Sequence, residues 1–67
     1  MKKYVRAVEF VGNIDVDIYT KIQMLNVVYI MLTYDDEISC TNKNIVWDLI
    51  KSLDDELHRM WFDSMTK

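Results

Sequence analysis

The chain lacks proline and contains one glycine and one cysteine among its 67 residues. With no proline and no glycine-rich stretch it offers no flexible linker, so its length predicts a single domain over residues 1–67. One cysteine excludes an internal disulfide framework, and Cys40 with His58 is too small a set for a structural zinc site. We therefore expect no metal and no other cofactor. The core of so short a chain is small, and such cores are only marginally stable alone.

Long apolar runs and a basic patch are also missing. The longest apolar run, residues 27–32, is too short to cross a bilayer. Arg6 and Glu9 interrupt the apolar stretch that a signal peptide would need. The net charge is −3 and the basic residues form no stripe, which argues against direct binding to a phosphate backbone. These features predict a cytoplasmic protein that binds neither a membrane nor a nucleic acid directly.

The single glycine begins the pattern on which the predicted fold depends. Gly12-Asn13 suits a two-residue turn, and the apolar/acidic alternation of residues 14–19 is typical of a strand. This pattern predicts a β-hairpin over residues 3–19. The rival interpretation is a helix over residues 3–11. The apolar residues that fit helical spacing equally well are Tyr4, Ala7, Val8 and Val11.

The middle of the chain predicts a helix over residues 21–34. Thr20-Lys21-Ile22-Gln23 has the form of a capping box, in which Thr20 would begin the helix. The apolar residues that then step by four and three are Ile18, Ile22, Leu25, Tyr29 and Leu32. A second apolar stripe lies beside them, so this helix should pack one face on the core and another on a partner. The alternative is a third strand over residues 27–34, which would give a meander.

The C-terminal part predicts a long helix over residues 44–64, with Asn42 or Asn44 as the N-cap. Its apolar stripe consists of Val46, Leu49, Ile50, Leu53, Leu57, Met60 and Trp61. The predicted fold class is therefore α+β, with the order ββαα. The alternative is an all-α three-helix arrangement.

More apolar side chains are present than one small core can cover, and this surplus predicts a binding surface. The candidate partner-binding residues are Met24, Val27, Met31, Trp47, His58, Trp61, Phe62 and Met65. Aromatic and methionine side chains are common anchors between proteins. We expect a small protein that docks on another protein as an inhibitor or regulator and that also forms a homodimer. Its use of Ile, Lys, Asn, Asp and Tyr resembles that of AT-rich bacterial and phage genomes.

Two other function classes have less support. The acidic residues could imitate phosphates and block a DNA- or RNA-binding protein; they are Asp15, Asp17, Asp35, Asp36, Glu37, Asp54, Asp55 and Glu56. Because they alternate with apolar positions, solvated helix faces explain them better. An enzyme would need a nucleophile with a base, a metal set or a phosphate loop, and the sequence indicates none. We therefore expect no enzymatic activity, with Cys40 incidental and His58 a surface residue.

Overall fold

The computed structural model describes residues 2–66, and over that range the chain is all-helical. The helices are α1 (Lys2–Asn13), α2 (Ile18–Thr33) and α3 (Cys40–Met65). The prediction of an α+β fold with the order ββαα is therefore wrong. The three-helix arrangement that the sequence left open describes the chain instead.

The hairpin over residues 3–19 is replaced by α1 and the connection that follows it. Tyr4, Val8 and Val11 recur at helical spacing and are buried, so α1 places one apolar stripe on the other two helices. Gly12 lies within α1 and has no positive φ, so it forms no turn. An isolated hairpin is only marginally stable in water, whereas a helix with this stripe gains stability from packing. Tertiary burial thus outweighs the β-propensity of the segment.

The N-cap residue of α2 is Asp17 and not Thr20. The Asp17 carboxylate accepts a hydrogen bond from the backbone N–H of Thr20 at 3.2 Å and another from the Thr20 hydroxyl. These hydrogen bonds lower the pKa of Asp17, and a negative charge at the helix N-terminus is favourable. The capping box starting at Thr20 is therefore wrong. The helix predicted over 21–34 is confirmed, and the alternative strand over 27–34 is not formed.

The third helix is confirmed as well, but it begins earlier than predicted. Ser39 is its N-cap, and its hydroxyl accepts a hydrogen bond from the backbone N–H of Asn42 at 3.3 Å. Asn42 and Asn44 therefore lie inside the helix. The 26 residues of α3 span about 39 Å at 1.5 Å per residue, close to the 43 Å length of the whole molecule.

The three helices pack up-down-up around one core. Lys21 at the start of α2 donates to the carbonyl of Gly12 at 3.1 Å, and Lys43 at the start of α3 donates to the carbonyl of Thr33 at 3.1 Å. These contacts join the end of each helix to the beginning of the next. The buried core consists of Tyr4, Val8, Val11, Leu25, Leu32, Val46, Ile50 and Leu57.

Tyr4 connects α1 to the far end of α2. Its hydroxyl donates to Asp35 Oδ2 at 2.6 Å and lies 3.3 Å from the carbonyl oxygen of Met31. Lys3 Nζ lies 3.6 Å from the same Asp35 oxygen. The hydrogen bond to Asp35, with burial, raises the pKa of Tyr4 to about 12, and the same bond lowers the pKa of Asp35. Asp35 is thus part of the scaffold.

Candidate protein-binding surfaces

The C-terminal end of α3 continues beyond the other two helices. Gly12, near the end of α1, lies against Leu53, and Leu57 is the last buried residue of α3. Residues 58–66 are all exposed. We call this segment the α3 overhang; it is helical up to Met65.

The α3 overhang is amphipathic. Trp61 and Met65 follow Leu57 at steps of four, so they continue the core stripe of α3 past the end of the core. Trp61, Phe62 and Met65 are 39%, 66% and 67% exposed, and Met60 is exposed beside them. At about 100° per residue, Arg59 and Asp63 lie roughly 160° from Trp61. The overhang therefore has an apolar side that the chain itself covers only in part and a charged side opposite.

A second apolar surface lies on the outside of α2. Val27, Ile30, Met31 and Tyr34 follow one another at i, i+3, i+4 and i+7, and they are 54%, 46%, 58% and 79% exposed. This spacing places the first three on one face of α2, opposite the buried residues Leu25 and Leu32, and Tyr34, the C-cap residue, continues that face. We call these four residues the α2 outer stripe. It is a continuous apolar surface facing solvent.

The eight predicted partner-binding residues do not form one surface. Val27 and Met31 belong to the α2 outer stripe, and the residues on the α3 overhang are His58, Trp61, Phe62 and Met65. Met24 is half-buried against the core. Trp47 is half-buried too, and its ring centroid lies 6.4 Å from that of Tyr29. Met24 and Trp47 therefore serve mainly the fold.

Ile30 and Tyr34 belong to the α2 outer stripe, although they are not among the residues that the sequence predicts to bind a partner. The signal that could have found them is the absence of charge, since no charged residue occurs between Lys21 and Asp35. A helix face without charge is typical of a face that is covered.

No match was found among protein-family models, curated proteins or solved structures. Within residues 2–66, no helix combines the length and the apolar character needed to cross a membrane. The same residues include no cluster of three or more His, Cys, Asp or Glu side chains that could hold a metal ion. Two apolar surfaces and a groove between α2 and α3 are the features of these residues that could contact a binding partner.

A groove of about 670 Å³ runs between α2 and α3. Its apolar lining comes from Ile22, Leu25, Tyr29, Trp47 and Ile50, and its polar lining from Gln23, Asn26, Lys51, Asp54 and His58. Trp47 Nε1 is buried and has no hydrogen-bond partner among the described residues. His58 Nδ1 lies 2.9 Å from the Asp54 carbonyl oxygen and 3.3 Å from Asp54 Oδ1. Asp54 and His58, four residues apart, are therefore neighbours on the same face of α3.

The remaining reactive and acidic residues are spread along the molecule. Cys40 is the first residue of α3 and is exposed, about 27 Å along the helix from His58. Asp17 and Asp35 lie beyond opposite ends of α2, a helix about 24 Å long, and both accept internal hydrogen bonds. This arrangement does not favour the nucleic-acid mimic, because two of its eight acids are engaged in the scaffold.

Proposed function

We propose that the protein is a small cytoplasmic interaction protein that binds another protein through the α3 overhang. By occupying a groove on that partner it acts as an inhibitor or regulator. The observation that supports this most directly is the exposure of Trp61, Phe62 and Met65 on a regular helix that extends beyond the core of the protein. The exposed thiol of Cys40 fits a reducing compartment such as the cytoplasm.

The mode of binding follows from the spacing of the exposed side chains. An amphipathic helix lays its apolar face into a hydrophobic groove through anchors at i, i+3 or i+4 and i+7. His58, Trp61, Phe62 and Met65 follow this spacing at i, i+3, i+4 and i+7, and the last three are large apolar side chains. Tryptophan is enriched among residues that dominate binding energy, and methionine adapts to irregular pockets. The partner surface is therefore an apolar groove about two helical turns long.

The scaffold contributes by holding the overhang in its helical form before binding. The preceding turns of α3 are anchored in the core by Val46, Ile50 and Leu57. A helix that is already ordered loses less conformational entropy on binding than a disordered segment does. The three-helix core thus keeps a short binding helix ordered before it meets its partner.

The proposal is tested by a double variant of the overhang, Phe62→Lys with Met65→Lys. The partner is first captured with the full chain from a lysate of the native host and identified by mass spectrometry, and its dissociation constant is then measured with purified proteins. We expect the variant to bind at least about 30-fold more weakly, because the loss of even one anchor of this kind costs about 2 kcal/mol.

The matched control is Ile45→Lys with Leu49→Lys. These residues are 46% and 42% exposed and lie on the other side of α3. The control should keep wild-type affinity, and circular dichroism should show unchanged helix content in both variants. Equal affinity of the overhang variant and the wild type, or equal weakening by the control, would contradict the proposal.

A further inference from the structure

We infer that the α2 outer stripe is the interface of a symmetric homodimer, and that a second copy of this chain covers it. This goes beyond the proposed function, since it uses another helix and another partner. Val27, Ile30, Met31 and Tyr34 lie on the face of α2 that points away from the core. Homodimers with a twofold axis are the commonest oligomers, and they pair the same patch of both subunits.

The exposed apolar face of α2 extends beyond the four residues of the α2 outer stripe. Tyr19 is 56% exposed and reaches Val27 through Gln23 by two steps of four residues. The face from Tyr19 to Tyr34 is therefore about 22 Å long at 1.5 Å per residue. A helix face of this length supports side-by-side packing with an identical helix.

Charge distinguishes this face from the exposed faces of the other helices. α1 exposes Lys2, Lys3, Arg6 and Glu9, and α3 exposes Asp48, Lys51, Asp55, Glu56 and Arg59. In contrast, the only charged residue of α2 is Lys21, whose ammonium group bonds to the carbonyl of Gly12. The face itself therefore places no like charges opposite each other in a pair of copies, although the chain as a whole carries a charge of −3.

The size of the stripe agrees with what a dimer needs. With aromatic side chains of roughly 150–250 Å² and aliphatic ones somewhat smaller, the exposed fractions of the five apolar residues sum to on the order of 500 Å². Two copies then bury on the order of 1,000 Å², the size at which specific interfaces begin. The same face on a second copy supplies this area without any other partner.

The position of the twofold axis follows from the length of the stripe. Val27 lies at the middle of the span from Tyr19 to Tyr34, so in a symmetric pair it lies near the axis and close to Val27 of the second copy. Antiparallel pairing of the two α2 helices also opposes their dipoles favourably. The interface is therefore centred on Val27.

Sedimentation velocity of the full chain at about 100 µM and about 1 µM tests the inference, because mass action favours the dimer at the higher concentration. We expect a dimer at the higher concentration and a monomer for Val27→Lys with Met31→Lys. The variant Phe62→Lys with Met65→Lys changes equally exposed residues of the overhang and should stay dimeric. A monomeric wild type, or loss of the dimer in the overhang variant alone, would overturn the inference without affecting the proposed function.

A cross-linking experiment covers the case in which lysine substitution unfolds the chain. In a Cys40→Ser background, Val27→Cys should form a disulfide-linked dimer on mild oxidation, because the two thiols meet near the axis. Ile45→Cys in the same background, on α3, should remain monomeric. Equal cross-linking of the two variants, or none at Val27→Cys, would rule out an interface centred on Val27.

Discussion

Tyr4 shows how much one side chain contributes to this small fold. Its ring is buried in the core, while its hydroxyl reaches Asp35 at 2.6 Å in the connection after α2. Tyr4→Phe removes that hydrogen bond and leaves the ring in place. We expect a loss of about 1 kcal/mol in the free energy of unfolding, measured by chemical denaturation. Tyr29→Phe, on an exposed tyrosine, is the control and should have little effect.

The same contact predicts a dependence on alkaline pH. The pKa of Tyr4 is raised from 10.0 to about 12 in the folded protein, so the folded state favours the protonated phenol. Its contribution to stability is therefore complete below pH 10 and is lost as the pH rises toward 12. A wild type and a Tyr4→Phe variant whose stabilities fall in parallel over this range would contradict the assignment.

Among the elements, α1 is the one whose conformation the sequence did not decide. Its β-branched residues and Gly12-Asn13 fit a hairpin, and its apolar spacing fits a helix. Only burial against α2 and α3 distinguishes the two, and the sequence does not contain that information. The other two helices were predictable because their apolar stripes are long, although their caps, Asp17 and Ser39, were each missed by several residues.

Gly12 gives a direct test of the helical assignment of α1. A Cβ added there would lie 3.7 Å from Leu53 Cδ2, an ordinary van der Waals contact. Alanine is favoured over glycine inside a helix, so Gly12→Ala should stabilise the protein by about 0.5–1 kcal/mol in denaturation experiments. Ala7→Gly is the reverse control and should destabilise it. A destabilising Gly12→Ala would point back to a turn at this position.

The candidate surfaces were predictable in part. Trp61, Phe62 and Met65 lie where α3 extends beyond α1 and α2. Their apolar character alone was enough to predict them as partner-binding residues. The spacing on α2 correctly separates the core stripe with Leu25 and Leu32 from a second stripe, but it does not show where the second stripe begins and ends. Met24 was therefore chosen for a surface although it packs inward, while Ile30 and Tyr34 were left out.

At the scale of the whole molecule, the core and the α3 overhang are separable. Residues 60–66 are exposed and include no member of the core. The free energy of unfolding of a chain that ends after Arg59 should therefore lie within about 1 kcal/mol of the value for the full chain, since the loss of exposed residues changes stability little. It should at the same time lose binding to the partner protein. Unfolding of the shortened chain, seen by circular dichroism, would contradict this separation.

The placement of the two tryptophans gives the protein a pair of optical reporters. Trp47 is half-buried between α2 and α3, with its Nε1 shielded from solvent, whereas Trp61 is 39% exposed on the overhang. The fluorescence of Trp47 should therefore follow unfolding, and that of Trp61 should shift to shorter wavelength when the overhang enters an apolar groove. Trp61→Phe and Trp47→Phe variants isolate one emitter each. Unfolding and partner binding can then be followed separately, each by the fluorescence of one tryptophan, in a chain that carries no added label.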